Sequence, residues 1–326
     1  MKITNKKFRF KLKNDVSNID NIINKSFKII LRDKLRDLYD AFLRRKYYQL
    51  FLKNFFISQN YNINLVLPSK GFSQLARKKK LNEISKIKNK DIICLGCGNG
   101  YDLLDWLKFK PKSITGVDIL NYSKSWKQIK NYLNKNKIQT KITFIQKDIL
   151  KIDNSRKFDF IVSDAVFEHL KDFHKIVKKC NHLLKSNGVM YASYGPLWYN
   201  LGGDHFSSRN NIKEGFNHLL LKKNEYLNFF KKNVSNLTDE IKFHGSAGIF
   251  VKENLFSKLT GTEYMEIYSK NNFYSKYTVV EYCPDAFQLV HKDNTLKKKL
   301  LKITKFKDLE NFYLKAQVIY LKKINS

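Results

Sequence analysis

Three glycines, Gly96, Gly98 and Gly100, stand within five residues of one another directly after the apolar run DIICL. Glycine lets a backbone turn sharply and come within contact distance of a ligand, and the free N–H groups that start a following helix attract an anionic group. A dinucleotide fingerprint requires G-x-G-x-x-G, whereas this loop has Tyr101 at the third glycine position. The spacing therefore predicts a turn that binds a carboxylate or a phosphate, and it disfavours nicotinamide and flavin cofactors.

Two acidic residues follow the next apolar runs. Asp118 ends the run ITGVD, 22 residues after Gly96, and Asp148 follows the run KITFIQ. An acid at this distance from a glycine loop, at the end of a parallel strand, accepts hydrogen bonds from ribose hydroxyls. A second acid at a strand end suits the exocyclic amine of adenine. Either acid alone could equally cap a helix, but their joint position after the loop predicts a nucleoside site.

The cysteines offer a competing interpretation of the same loop. Cys94 and Cys97 form a C-x-x-C motif, a pattern that can bind metal or undergo redox chemistry. The chain has four cysteines, and neither a second pair nor a nearby histidine completes a ligand set around this motif. We interpret the two cysteines as reduced, small residues in a tight loop, and the sequence predicts no metal site.

Short β-rich runs alternate with helical stretches from about residue 90 to 195. The runs are DIICL, SITGVDI, KITFIQ, FDFIVSD and GVMYASY, and their alternation with helices predicts βαβ units. Two later runs, GTEYMEIYS and KAQVIYLKK, predict an antiparallel pair that completes the sheet. The predicted fold class is α/β, with a Rossmann-like, seven-stranded, mostly parallel sheet and helices on both faces.

Three parts of the chain are predicted from these patterns. Residues 1–74 form an N-terminal helical extension, in which apolar residues at three- and four-residue steps over about 28–58 predict an amphipathic helix with a basic outer face. Residues 75–195 form the Rossmann-like core. Residues 196–326 supply a helical insert after the fifth strand, on the substrate side, and the last strands of the same domain.

Four motifs occur in order along the core: LGCGNG, GVDIL, QKDIL and FDFIVSDAVFEHL. In these motifs the chain resembles the class I S-adenosylmethionine-dependent methyltransferases, of the small-molecule type (methyltransferase domain 11 or 23), over residues about 75–195. The resemblance implies S-adenosylmethionine as the cofactor. It also implies that Gly96, Cys97, Gly98 and Gly100 hold the methionine part of the cofactor and that Asp118 contacts the ribose. By the same resemblance, adenine is contacted by Ile119, Asp148 and Ile149, and the sulfonium side is lined by Asp164 and Ala165.

One position departs from the family pattern. The family usually has Asp or Glu two residues before the first glycine, where this chain has Cys94. The motif therefore lacks the acid that would approach the amino group of the cofactor, and Asp164 is a partial substitute.

Two histidines are candidates for proton transfer to or from an acceptor. His205, in the segment WYNLGGDHFSS after the fifth strand, is predicted to overhang the mouth of the site and act as a general base. His169, with Glu168, is predicted to open the helix after the fourth strand, where the helix dipole favours the neutral form of the histidine, so it could act as a base or orient the loop by hydrogen bonds. Trp198 and Tyr199 are predicted to form an apolar wall for substrate, or else ordinary packing. The glycines at 202 and 203 suggest a hinge for a closing lid.

The acceptor is a small molecule by this interpretation. The fourth motif reads SDAV rather than the N-P-P-Y of base and amide amino-methyltransferases, and there is no Pro-Cys pair of the cytosine C5 type. A sugar, glycan or lipid intermediate is the expected acceptor, with O-methylation preferred. One alternative is an RNA methyltransferase whose basic helix at 42–56 binds phosphates. A second alternative is an inactive protein that binds the cofactor without turnover, as the cysteine in place of the acid suggests.

The formal net charge of +33 comes mainly from lysine, since eight of the 62 basic residues are Arg. Phosphate recognition favours the arginine fork, so we attribute the charge to composition rather than to a nucleic-acid partner. No run approaches the ~20 apolar residues of a membrane-spanning helix, and the first residues lack the apolar segment of a secretory signal. A cytoplasmic location is expected, and the sequence leaves the oligomeric state open.

Overall fold

The computed structural model describes residues 63–68, 73–209, 211–234 and 254–324. It also describes four residues of the predicted amphipathic helix, which are helical and exposed: Leu31, Lys34, Leu35 and Leu38. The basic segment 42–56, on which the RNA methyltransferase alternative depends, lies outside the described residues.

The described residues build one mixed sheet of eight strands. Its order is β1-β7-β8-β6-β5-β2-β3-β4, and β8 runs antiparallel to both of its neighbours while the remaining pairs are parallel. The strands are β1 Ile63–Pro68, β2 Asp91–Leu95, β3 Ser113–Asp118, β4 Lys141–Gln146, β5 Phe158–Asp164, β6 Leu184–Tyr194, β7 Phe273–Tyr282 and β8 Leu314–Lys323.

Helices connect the strands and cover both faces. The α-helices are α1 Gln74–Ile84, α2 Ser123–Lys135, α3 Phe173–Leu183, α4 Asn217–Leu220, α5 Lys223–Val234, α6 Gly261–Lys270, α7 Pro284–Lys292, α8 Asn294–Thr304 and α9 Glu310–Tyr313. The 3₁₀ helices are Tyr101–Phe109, Ile149–Lys151, Phe167–His169 and Ile212–Glu214. No helix among the described residues is long and apolar enough to cross a membrane.

The core lies on both sides of the sheet, as a central parallel strand requires. Successive residues of a strand point to opposite faces. Ile93 and Leu95 of β2 therefore pack with α3 and α6 to α9 on one side, while Ile92 and Cys94 pack with α1, α2 and the helix Tyr101–Phe109 on the other. The predicted α/β class, with helices on both faces, is confirmed.

The sheet has eight strands rather than the predicted seven. The segment Ile63–Pro68, which the sequence assigned to the helical extension, is a strand that pairs in parallel with β7 at the edge of the sheet. The side chain of Asn64 supports this pairing, because its Oδ1 accepts a hydrogen bond from the backbone N–H of Thr278 at 2.9 Å.

The predicted strand GTEYMEIYS was wrong, because this segment is helix α6. Thr260 and Glu263 form a capping box that satisfies two free N–H groups at the start of the helix. Tyr264, Met265 and Tyr268, at helical spacing, bury one face of it. The strand lies directly afterwards, as β7, and its antiparallel partner is β8, which contains the predicted run KAQVIYLKK.

The carboxyl ends of the parallel strands place the motifs at one edge of the sheet. β2 leads into the glycine loop, β3 ends at Asp118, β5 ends at Asp164, and β6 leads into Gly195. In open parallel sheets this edge, where the strand order reverses between β2 and β5, is where ligands bind.

Candidate active site

The glycine loop after β2 adopts left-handed conformations, with φ of 67° at Gly96, 52° at Gly98 and 85° at Gly100. A side chain at the first would lie 2.4 Å from Val166, and one at the third 2.6 Å from Phe144, so both glycines are required by close packing. At Gly98, apart from its chain neighbours, no atom of the described residues lies within 4 Å of an added Cβ. The middle glycine therefore faces open space where a ligand can approach the backbone.

Asp118 joins the end of β3 to this loop. Its Oδ2 accepts from the Gly98 N–H at 2.7 Å, and its Oδ1 accepts from the Leu120 N–H at 2.8 Å. Burial raises the pKa of Asp118, while these backbone hydrogen bonds act in the opposite direction. Each carboxylate oxygen has a second lone pair, so the residue can hold the loop and still accept from a ribose hydroxyl.

Trp126 is a support of the loop that the sequence analysis missed. Its Nε1 donates to the Gly98 carbonyl at 2.9 Å, and its ring stacks on Phe144 with centroids 5.2 Å apart and planes 4° from parallel. The tryptophan lies within the pattern of α2 and carried no signal of its own. A helix behind the loop and a strand beside it thus fix the turn together.

The predicted adenine side is made by the ends of β3 and β4. Ile119 is 47% exposed, so its side chain presents an apolar surface that a flat ring can cover. Asp148 caps the short helix Ile149–Lys151, because its Oδ1 accepts from the Leu150 N–H at 2.9 Å, and Ile149 itself is buried. The helix-cap role of this acid is therefore real, and its contact to adenine stays a prediction.

The end of β5 forms the opposite wall of the opening. Asp164 accepts a hydrogen bond from the Tyr191 hydroxyl at 2.6 Å, and burial raises the pKa of this carboxyl. Ala165 is exposed, has a positive φ of 55°, and donates its N–H to the Ser193 carbonyl at 2.7 Å. Its backbone is thus held in a turn that lines the opening.

Two basic residues of helix α1 lie near this wall at the end of β5. Arg77 donates to the Ser193 hydroxyl and to Glu281 Oε1, the latter at 2.9 Å. Lys78 is fully buried, and its Nζ donates to the Asp102 carbonyl at 2.9 Å. Neither was predicted, because a run of basic residues such as RKKK is usually a solvated face and the partners are distant in the sequence.

The C-x-x-C pair consists of buried, free thiols. Burial raises the pKa of Cys94 and of Cys97, so both are protonated at neutral pH. The charges of Lys78 and Asp164 both act on Cys94. A lysine and an acid thus lie close to the position where the family usually has a carboxylate.

The two predicted catalytic histidines lie together. The ring centroids of His169 and His205 are 4.8 Å apart. Burial lowers the pKa of His169 to about 4 and that of His205 to about 3, so both are neutral at pH 7 and are weak proton acceptors. Glu168, which the sequence did not single out, is 2% exposed beside them, and burial raises its pKa to about 8.

Asp204, the neighbour of His205, belongs to a different group of side chains. Its carboxylate accepts from Ser207 and from the Tyr226 hydroxyl, and lies 3.8 Å from the Nδ1 of His218. The two glycines before it are packed tightly, since an added Cβ would lie 2.2 Å from Ser208 Oγ in one case and from the Trp198 carbonyl in the other. Close packing, rather than hinge freedom, explains these glycines.

Trp198 and Tyr199 pack against different groups of side chains. Trp198 packs 4.8 Å from Phe256, whose ring in turn lies 5.5 Å from that of His169, so this tryptophan belongs to the surroundings of the histidines. Tyr199 packs against Phe306 at 4.8 Å. Both rings make packing contacts, and a substrate wall at either residue stays a prediction.

Comparison with known proteins agrees with this architecture. Residues 86–246 match the family model of a methyltransferase domain. A ubiquinone biosynthesis O-methyltransferase from Pelagibacter ubique is 30% identical over 110 residues, which are 33% of this chain and 42% of that protein. A malonyl-[acyl-carrier protein] O-methyltransferase from Calditerrivibrio nitroreducens is 27% identical over 225 residues, 63% of this chain and 79% of that protein.

Among solved structures, the cyclopropane synthase MmaA2 from Mycobacterium tuberculosis is similar at a TM-score of 0.46 and 13% identity, over 76% of this chain and 82% of that chain. Sheet order and glycine loop agree with the matched residues, which are a domain of the class I S-adenosylmethionine-dependent methyltransferase type. Residues 86–246 are the methyltransferase domain of this chain, and S-adenosylmethionine is the methyl donor of this class. The alignment with the Pelagibacter protein spans about two-fifths of that relative.

Proposed function

We propose that this protein transfers a methyl group from S-adenosylmethionine to an oxygen atom of a small-molecule acceptor. The observation that carries the proposal is the turn at Gly98, which is open to a ligand and held by the carboxylate of Asp118. The cofactor supplies an electrophilic methyl group on a sulfonium. Binding its nucleoside and methionine parts falls to the loop at 96–100, to Asp118 and Asp148, and to the exposed face of Ile119.

The region beyond Ala165 is the proposed acceptor side. It contains the neutral histidines 169 and 205 and the aromatic rings of Trp198 and Phe256, so it offers nitrogen lone pairs in an apolar surrounding. Alignment of two reactants can lower the barrier by about 7–11 kcal/mol. A general base typically contributes a factor of ~10² to 10⁴ in rate, which corresponds to about 3–5 kcal/mol. Because the two imidazoles are weak bases, we assign them chiefly to orienting the acceptor.

The preference for oxygen rests on two further points. The motif SDAV at the end of β5 lacks the planar-nitrogen site of amino-methyltransferases. The names of the two relatives both describe methylation of an oxygen. A sugar, glycan or lipid intermediate with a free hydroxyl or carboxylate fits this assignment.

Calorimetry with S-adenosylhomocysteine tests the cofactor part. Asp118→Ala removes the acceptor of the Gly98 and Leu120 N–H groups and the proposed acceptor for the ribose. We expect affinity to fall at least about tenfold, since each charge-assisted hydrogen bond contributes ~1.5–3 kcal/mol. Asp153→Ala is the matched control, because this exposed acid accepts its hydrogen bonds from Ser155, two residues along the chain, rather than from the glycine loop. Equal affinity in both variants would refute the assignment of Asp118.

Mass spectrometry of extracts from cells with and without the gene tests the acceptor part. A metabolite that gains one methylene only when the gene is present, and whose formation by purified protein requires S-adenosylmethionine, supports the proposal. Methylation of a nitrogen or carbon atom would show that the acceptor atom is not oxygen. Tight cofactor binding with no methylated product would favour the inactive alternative.

A further inference from the structure

Three side chains that could bind a metal meet between two segments of the chain. Glu168 and His169 end the short helix after β5, and His205 lies on the turn that follows β6. One carboxylate oxygen and one ring nitrogen from each histidine all lie within 4.8 Å of one another. The sequence predicted no metal site, because these residues are 36 positions apart and show no metal-ligand spacing.

The donor set has a definite chemical preference. Two imidazoles and one carboxylate suit divalent ions such as Zn²⁺, Fe²⁺ and Co²⁺, whereas Mg²⁺ and Ca²⁺ prefer oxygen ligands. Three protein ligands leave at least one coordination position open, as in catalytic rather than structural zinc sites. In a tetrahedral site with bonds of 2.0–2.1 Å the ligand atoms lie about 3.3 Å apart. The three ligand atoms, which lie within 4.8 Å of one another, therefore have to move closer by up to about 1.5 Å through side-chain rotation when an ion binds.

The orientation of His169 fits metal ligation. Its Nδ1 lies 3.1 Å from the Leu255 carbonyl oxygen. A carbonyl can only accept, so Nδ1 carries the proton and the lone pair of the ring lies on Nε2. A histidine that donates one N–H to a carbonyl and offers the other nitrogen is the usual arrangement around a metal, in which the carbonyl fixes the tautomer.

Glu168 provides the second, independent observation. Its Oε1 accepts from the Gly195 N–H at 3.0 Å. Its Oε2 is buried and has no hydrogen-bond partner among the residues that the structure describes. A buried polar atom without a partner costs free energy, and a cation would supply the missing partner.

The surrounding charges are compatible with a cation. The carboxylate of Asp164 lies near enough to Glu168, and that of Asp204 to His205, to interact with them electrostatically, so acidic groups lie around the cluster. The positive charges of Arg209 and Lys315 also interact electrostatically with His205.

We propose that Glu168, His169 and His205 bind one divalent transition-metal ion, with an open coordination position for an oxygen of the acceptor. The ion-binding step stands on the geometry alone. The role of the open position rests on the proposed function: a coordinated hydroxyl loses its proton to solvent water more readily. The resulting oxygen anion would then form the bond to the methyl group as the sulfonium S–CH3 bond breaks, with S-adenosylhomocysteine as the leaving group.

Cobalt absorption spectroscopy tests the site. The full-length protein is stripped with a chelator, checked for its fold by circular dichroism and titrated with Co²⁺, and Zn²⁺ then competes for the ion. We expect one Co²⁺ per chain with a visible spectrum of four- or five-coordinate geometry, lost on adding Zn²⁺. Binding without a saturable spectrum, or at no defined stoichiometry, would overturn the proposal.

Three variants localise the ion. Glu168→Gln and His205→Gln preserve shape and remove a ligand, and each should weaken Co²⁺ binding by more than the 10–100-fold that loss of an outer-shell partner costs. His174→Ala, an exposed histidine on α3, is the control and should bind as the wild type does. Wild-type affinity in both glutamine variants would place the ion elsewhere and refute the site.

Binding of S-adenosylhomocysteine, measured on the same samples, separates this proposal from the proposed function. A ligand variant that folds, binds the nucleoside normally and loses cobalt supports the metal site. Wild-type protein that binds the nucleoside but no cobalt refutes the metal site and leaves the methyltransferase assignment intact. The reverse result refutes the assignment and leaves the metal site.

Discussion

The carboxylate of Asp118 accepts a hydrogen bond from the N–H of Gly98 at 2.7 Å, so the end of β3 holds the turn that follows β2. The acid and the glycine loop are therefore one unit, although they are 20 positions apart. A negative charge that binds the loop from one side fixes the backbone while its other lone pairs remain for a ligand. This explains why the pair of signals is more informative about a nucleoside site than either alone.

The two glycines 96 and 98 should respond differently to alanine. Gly96→Ala combines a left-handed φ with a Cβ 2.4 Å from Val166, so we expect a loss of about 2–4 kcal/mol in the free energy of unfolding. Gly98→Ala has only the conformational cost of about 1–2 kcal/mol, but its methyl group occupies the space proposed for the cofactor.

Urea denaturation and calorimetry with S-adenosylhomocysteine measure the two effects. Gly98→Ala should raise the Kd by at least about tenfold, and it should lose less stability than Gly96→Ala does. If its affinity equals that of the wild type while the protein stays folded, the open space beside this glycine is not the cofactor site.

Trp126→Phe separates the hydrogen bond of this residue from its packing. Phenylalanine can keep the stack on Phe144 but cannot donate to the Gly98 carbonyl. We expect unfolding to become easier by about 1 kcal/mol and cofactor binding to weaken, because the turn loses one restraint. Phe144→Leu, which removes the stack and keeps the hydrogen bond, is the comparison. Identical behaviour of Trp126→Phe and wild type in denaturation would show that this hydrogen bond does not hold the loop.

The ion pair of Arg77 and Glu281 should show strong energetic coupling. The two side chains are 18% and 8% exposed, and the charge of Glu281 raises the pKa of Arg77 against the effect of burial. In a double-mutant cycle of Arg77→Met and Glu281→Gln, we expect a coupling of about 1–3 kcal/mol. The exposed pair Lys270 and Glu266 is the control and should show no measurable coupling. Additive effects in the buried pair would mean that α1 is held by other contacts.

Much of the fold follows from short apolar runs. The run DIICL matches β2 because a central parallel strand, buried on both faces, needs a continuous apolar run. The run KITFIQ matches β4, an edge strand that is only partly buried, because its β-branched and aromatic residues favour a strand. The edge strand β1 was missed, since a short apolar run next to a predicted helix can be read either way. Helix α6 was missed because the cap at Thr260, just before the run, was not recognised.

The candidate site likewise contains residues that the sequence identifies and residues that it does not. Gly98 and Asp118 are visible in the sequence because a local turn and a strand end fix them. Arg77 and Glu168 are not, because their roles depend on partners, Glu281 and Gly195, that only tertiary packing brings near. His169 and His205 were singled out separately, and their contact is a result of the structure.

The stability of the metal-free protein should depend on pH through this cluster. Burial raises the pKa of Glu168 from 4.5 to about 8, so the folded state holds a proton that the unfolded chain lacks between these values, and stability falls there as pH rises. The pKa values of His169 and His205 are lowered from 6.5 to about 4 and about 3, so their contribution rises with pH up to about 6.5 and is then constant.

Above pH 6.5, Glu168 is therefore the group of the three that still changes stability. At ~1.4 kcal/mol per pH unit, the wild type should lose about 2 kcal/mol between pH 6.5 and 8, measured by urea denaturation in the presence of a chelator. Glu168→Gln cannot ionise and should show a flat profile over the same interval. A decline that persists in the glutamine variant would assign the titration to another group, and a flat wild-type profile would mean that the carboxyl is already ionised in the folded protein.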